Sequence, residues 1–257
     1  MRALLALTLL AAAPHLVAGD DMVAVPAGRF VMGRDDGPPD ERPAHRVELA
    51  AYRIDRLPVT NAQFAAFLER HGARAPDGAR YFDDDDADAR IRPREGRWRA
   101  DPGFERHPVV EAAWLGALAY CRSLGKRLPA EAEWEKAARG TDGRLYPWGN
   151  APPGPALAWY GRGWNETAPV GERPGGASPF GVLELSGNVW EWVSSAYRPY
   201  PYLASDGRED PAPGPVRGTR GGAHDSGAAE LTATQRGRQV SRNPAAGHHN
   251  IGFRCAR

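Results

Sequence analysis

Apolar residues recur along this chain in short, interrupted runs. Val23-Ala24-Val25 and Phe30-Val31-Met32 flank Pro26-Ala27-Gly28, which predicts two short strands joined by a turn. A polar, Pro-rich loop follows from Arg34 to Pro43. Val47 to Val59 is rich in β-branched and aromatic residues and predicts extended chain. Thr60 is a good N-cap for a helix with Phe64, Phe67 and Leu68 on one face, ended at Gly72. Residues 73–106 carry no clear period and read as irregular. Glu111 to Leu124 predicts a second helix, with Trp114, Leu118 and Cys121 on one face and Gly125 as its stop. Pro129 opens a third helix through Arg139, with Glu131 and Glu133 in its first turn, where the helix dipole favours them. Gly140 closes it, and loops with short strands follow to the C-terminus. There is no internal repeat and no evident domain split.

Composition supports an irregular fold. The 257 residues include 30 Gly, 24 Pro and 8 Trp. Gly and Pro place much of the chain in turns, and tryptophans pin loops by burying large areas. The net charge of +1 is no footprint for nucleic acid. Arg2, the apolar run Ala3 to Ala13 and the small residues Ala18-Gly19 read as a secretory signal over residues 1–19, with 20–257 as the mature domain. The other reading is a short buried helix. No segment is apolar enough to span a membrane, so a soluble protein in the periplasm or outside the cell is expected. The two cysteines, Cys121 and Cys255, read there as either one disulfide or two separate buried thiols. The run Asp83-Asp84-Asp85-Asp86 reads as a solvated loop, with calcium binding as the alternative.

Four blocks carry a family resemblance. The first is Leu57-Pro58-Val59-Thr60-Asn61 through Phe67. The second runs from His107-Pro108-Val109-Val110 through Trp114, Ala119-Tyr120-Cys121 and Gly125-Lys126-Arg127-Leu128-Pro129 to Glu135, and ends at Tyr146-Pro147-Trp148-Gly149. The third is Phe180-Gly181 with Ser186-Gly187-Asn188-Val189-Trp190-Glu191-Trp192, and the fourth is Arg220-Gly221-Gly222 with Gly252-Phe253-Arg254. Together they resemble the formylglycine-generating enzyme, or sulfatase-modifying factor, family. The resemblance implies an α+β fold, a loop-rich variant of the C-type-lectin-like fold. Active members oxidise a sulfatase cysteine to formylglycine with molecular oxygen and hold copper(I) between two cysteines. The matching positions here are Ser226 and Leu231, which offer no thiolate, so formylglycine generation is not expected. The family pairs the cysteines matching Cys121 and Cys255. One family calcium site matches Glu184, Gly187, Val189 and Glu191, a hard oxygen set. The other reading is that Glu191 hydrogen-bonds loop backbone. A second calcium site falls at Trp159 to Trp164, where Arg162 replaces a ligand carboxylate and argues for its loss.

His224 and Asp225 fall in the family's active pocket and suit a harder metal, iron or copper. His248-His249 are adjacent, face opposite ways in extended chain and read as surface loop residues, with metal binding as the alternative. Arg236, Arg238 and Arg242 read as a cationic groove for a partner polypeptide, or else as partners of loop acids such as Asp225 or Glu230. Two functions result: a polypeptide-binding or accessory protein, or an oxygen-dependent metal oxidoreductase acting on a peptide or peptide-derived substrate, like the periplasmic member that takes part in pyoverdine maturation. Fold alone does not choose between them.

Overall fold

The computed structural model describes residues 21–212, 216–237 and 243–257. The expected signal, residues 1–19, and the groove arginines Arg238 and Arg242 lie outside the described residues. Among the described residues, nine short strands and three α-helices are joined by long loops, the loop-rich α+β architecture expected of the family's C-type-lectin-like variant.

The first two strands form as predicted, β1 at Met22–Val25 and β2 at Gly28–Met32, but they do not pair with each other. β3 (His45–Leu49) and β4 (Tyr52–Asp55) divide the extended segment, β4 pairing antiparallel with β1 and β3 with β2. Burial decides this pairing. Val25, Met32 and Ile54 have no exposed surface, so each strand lies over core rather than over its sequence neighbour.

Helix α1 (Asn61–His71) follows its local chemistry. Gln63 N–H donates to Thr60 Oγ1 at 3.3 Å, and Thr60 N–H donates to Gln63 Oε1 at 2.8 Å. This reciprocal cap is worth about 1 kcal/mol, which Thr60→Ala would remove. The helix ends at Gly72, whose φ of 74° suits glycine. Phe64 and Phe67 turn inward against Phe82, Tyr120 and Phe253.

Residues 73–106 are more regular than their pattern suggested. β5 (Ile91–Arg94) and β6 (Arg97–Ala100) form an antiparallel hairpin around Glu95-Gly96, both at positive φ, as a type I′ turn requires. Helix α2 (Trp114–Ser123) begins three residues later than expected, because Glu111 has a φ of 59° and Ala113 is extended. Helix α3 (Glu131–Arg139) starts where Ala130 N–H donates to Glu133 Oε2 at 2.8 Å.

β7 (Trp190–Ala196) is the centre of a three-stranded sheet, antiparallel to β8 (Arg217–Arg220) and parallel to β9 (Ile251–Phe253). Its Trp190 and Trp192 lie in the main apolar core with Trp114, Phe64 and Phe253. Cys121 and Cys255 are bonded within that core, their Cα atoms 5.6 Å apart across 134 residues of sequence. This joins α2 to the end of β9. Among the described residues no helix is long and apolar enough to cross a membrane.

Candidate metal centre

Two glycine turns meet beside the end of β8. Gly187 N–H donates to Gly221 O at 2.9 Å. A Cβ on Gly222, at φ 76°, would stand 2.8 Å from Glu230 O, so only glycine lets the chain pass. These turns present Asn188 and His224 to each other. The Asn188 side chain is locked: its Oδ1 accepts from Ala168 N–H at 2.9 Å, and its Nδ2 donates to Ala168 O and Glu184 Oε2, both at 3.0 Å. Its carbonyl is thereby fixed, and it accepts from His224 N–H at 2.9 Å.

His224 has no exposed surface. Its Nδ1 lies 2.9 Å from Asn188 O. A carbonyl only accepts, so Nδ1 carries the proton and Nε2 keeps its lone pair. Nε2 is buried and has no hydrogen-bond partner. Burial lowers the pKa of His224, with its bond to Asn188 and the Asp225 charge acting the other way. The ring is therefore held neutral in a ligand-ready tautomer.

A carboxylate and a second imidazole complete the group. His224, Asp225 and His249 each offer a ligand atom, and these lie within 4.8 Å of one another. Asn250 Nδ2 donates to both Asp225 oxygens, at 3.3 and 3.0 Å, and His249 Nε2 lies 3.2 Å from Oδ2. Burial raises the Asp225 pKa, but the hydrogen bonds from His249 and Asn250 act the other way, and Asp225 is held below the usual range. The His249 ring stacks on Trp164 with centroids 3.4 Å apart.

His249, expected as a surface loop residue with metal binding as the alternative, joins the group. The adjacent histidines do face opposite ways: His248 turns to Trp192 and the Asn243 carbonyl, while His249 turns to Asp225. Only the fold brings residue 249 beside 224. Asn250 and Trp164, which hold Asp225 and His249, carried no signal in the sequence.

A second acidic group lies beyond Trp164. Asp86, Asp88 and Glu111 offer oxygens within 4.8 Å of one another. Burial, with the charges of Asp86, Asp83 and Asp88, pushes the Glu111 carboxyl up to about 8.

Arg236 corrects the groove expectation. Its side chain has no exposed surface and pairs with Glu131 of α3, Nε to Oε1 at 2.7 Å. Nη1 donates to Asp40 O and Nη2 to Arg198 O, both at 2.9 Å. The guanidinium also lies against the rings of Tyr197 and Tyr200. Arg220 pairs with Glu135 at 2.5 Å beside it. Neither Asp225 nor Glu230 is the partner. A charge this buried needs a buried counter-charge, and Arg236 is part of the interior rather than of a groove.

The sequence matches the sulfatase-modifying factor enzyme 1-like domain over residues 8–257. The chain belongs to this family. A formylglycine-generating enzyme of Streptomyces coelicolor is 37% identical over 294 residues, taking in 96% of this chain and 91% of that protein. The serine/threonine-protein kinase pkn1 of Chlamydia caviae is 36% identical over 245 residues, with 92% of this chain covered. The chain spans 38% of that relative's length. The solved structure of PvdO from Pseudomonas aeruginosa superposes with a TM-score of 0.70 at 29% identity, covering 92% of this chain and 93% of that one.

In this member of the sulfatase-modifying factor family, the two residues expected at the copper positions, Ser226 and Leu231, are 4% exposed and fully buried. Ser226 Oγ accepts from Ala223 N–H at 3.0 Å, so it closes a turn. At the turn expected to match a family calcium site, Glu191 has protein partners. Its oxygens accept from Arg254 at 2.6 and 2.7 Å and from Trp134 Nε1 at 2.8 Å. Glu184 accepts from Gly171 N–H at 2.6 Å and from Asn188. Arg254 also donates to Glu184 O at 3.2 Å. The donors are hard oxygens, as Ca²⁺ requires, but Arg254 already balances the charge, so the turn does not need an ion to avoid repulsion. Arg162, in the second calcium region, stacks on Trp159 with its guanidinium carbon 3.9 Å from the ring centroid.

Proposed function

We propose that this chain is an oxygen-dependent oxidoreductase acting on a peptide or peptide-derived substrate, with one divalent metal on His224, Asp225 and His249. One observation carries the reading: His224, whose buried Nε2 has no partner, shares one cluster with a carboxylate and a second imidazole. Two imidazoles and a carboxylate form the donor set of non-haem iron(II) oxygenases. Bound iron would supply the redox chemistry that the missing copper thiolates cannot. The chain's own groups set the ligands. Asn188 fixes the tautomer of His224, Asn250 orients Asp225, and Trp164 sets the plane of His249. The Cys121–Cys255 bond accords with work in an oxidising compartment, as an exported protein would do.

The second reading, a polypeptide-binding accessory protein, draws on the Ser226 and Leu231 replacements and on Trp164, which is 67% exposed. Metal analysis of the purified protein separates the two. Stoichiometric iron that is lost in His249→Ala and Asp225→Asn supports the oxidoreductase. Protein that binds no redox metal, even when loaded anaerobically with iron(II), supports the accessory reading. With copper(I) and a Cys-x-Pro-x-Arg peptide, no aldehyde is expected by mass spectrometry.

A further inference from the structure

The oxygens of Asp86, Asp88 and Glu111 converge, and among the described residues none of the three forms a salt bridge. Glu111 is 2% exposed, and among the described residues no donor reaches its carboxylate. Arg90 lies over the Phe104 ring, its guanidinium carbon 4.3 Å from the centroid. Arg80 pairs with Asp83 and Asp85, and Arg92 donates to the carbonyls of residues 86, 87 and 89. The backbone holds the group in place: Glu111 N–H donates to His248 O at 3.1 Å, and Asp83 N–H donates to Glu111 O at 3.0 Å. Three carboxylates held this close repel one another unless a cation or protons intervene.

A separate observation points to a cation. Asn165 is 7% exposed, and its Nδ2 donates to Asp88 O and Oδ1 at 3.1 and 3.2 Å. Its Oδ1 is buried with no donor. An amide oxygen beside carboxylates gains nothing from them, since all are acceptors. A cation would satisfy this oxygen and the three carboxylates together. The donors are all hard oxygens from loops, which favours Ca²⁺ with its six to eight flexible ligands over octahedral Mg²⁺.

We infer that Asp86, Asp88, Glu111 and Asn165 form a calcium site that fixes Trp164 over the face of His249. Asp88 Oδ2 accepts from Trp164 Nε1 at 2.7 Å, and the Trp164 ring stacks on His249. Holding Asp88 therefore holds the indole, and the indole holds the imidazole. The effect on His249 rests on the reading of the metal centre above; the calcium site does not.

The test is isothermal titration of CaCl₂ into the chelator-stripped full chain. A calcium-binding step is expected that weakens at least about tenfold, roughly 1.4 kcal/mol, in both Glu111→Gln and Asp88→Asn, whether or not a second calcium binds at the Glu191 turn. Glu111→Gln removes a buried charge, so it should unfold no earlier than wild type in chelator, and lost binding would not be lost folding. Calcium should also shift the tryptophan emission of wild type and not that of Trp164→Phe. Equal affinity in wild type and Glu111→Gln would overturn the site, whatever the result of iron loading. An emission change that survives in Trp164→Phe would overturn the link to the metal centre.

Discussion

Arg236→Met should unfold this protein early rather than weaken its hold on a partner. The side chains of Arg236 and Glu131 have no exposed surface. The substitution keeps bulk and apolar contact but removes the charge. It leaves the Glu131 carboxylate with Arg220 Nη1 at 3.5 Å as its remaining charged contact. It also strips a donor from the carbonyls of Asp40 and Arg198. Breaking one side of a buried pair costs about 3–5 kcal/mol, and the two part-buried carbonyls that lose a donor add less than the about 1–3 kcal/mol of a fully buried unpaired group. These terms overlap, so a loss of about 4 kcal/mol is expected. Against a typical stability of about 5–15 kcal/mol that is a large fraction. For a chain of this size the melting midpoint should fall by about 8–16 °C. Urea and thermal unfolding followed by tryptophan fluorescence would measure it. The double variant Arg236→Met with Glu131→Gln should recover part of the loss, because no buried charge is then left alone. If Arg236→Met melts within about 2 °C of wild type, the burial argument fails and Arg236 returns to the groove.

Three further outcomes follow from the same geometry. Reducing Cys121–Cys255, or replacing both residues with Ser, reopens a 134-residue separation and should cost about 5 kcal/mol in the chain-entropy model; equal midpoints with and without reductant would refute it. The Glu111 carboxyl is raised to about 8 from 4.5 in the unfolded chain, by burial first and then by the charges of Asp86, Asp83 and Asp88. Its stabilising contribution is full below about pH 4.5 and is lost as pH rises through about 8, so in chelator Glu111→Gln should gain on wild type by about 2–5 kcal/mol between pH 5 and 8. A difference that stays flat with pH would count against it. Calcium at Glu184, Gly187, Val189 and Glu191 remains a proposal, expected to raise the midpoint of Glu111→Gln above its value in chelator; coincident midpoints would leave Arg254 as the sole charge partner of Glu191.

Some of this protein is written in local sequence because the forces involved are local. Thr60 and Gln63 cap α1 within one turn, and Gly72 ends it, so both boundaries are legible from the residues themselves. Phe64, Phe67 and Leu68 recur at helical spacing and all lie in the core. The four sequence blocks carried the family resemblance, which in turn implied the pairing of Cys121 and Cys255 that the structure shows. Tertiary structure decided the rest. The Glu95-Gly96 turn became a hairpin because Ile91 had core to bury against, in a segment whose charge masked the alternation. Arg236 reads the same in sequence whether it faces water or Glu131, since a charge does not name its partner 105 residues away. His249 joined His224 and Asp225 only when β9 ran parallel to β7 and brought the 243–250 loop over the Gly221-Gly222 turn. Caps and periodicity act over a few residues of one chain segment. A site built from three loops depends on long-range packing that no single segment contains.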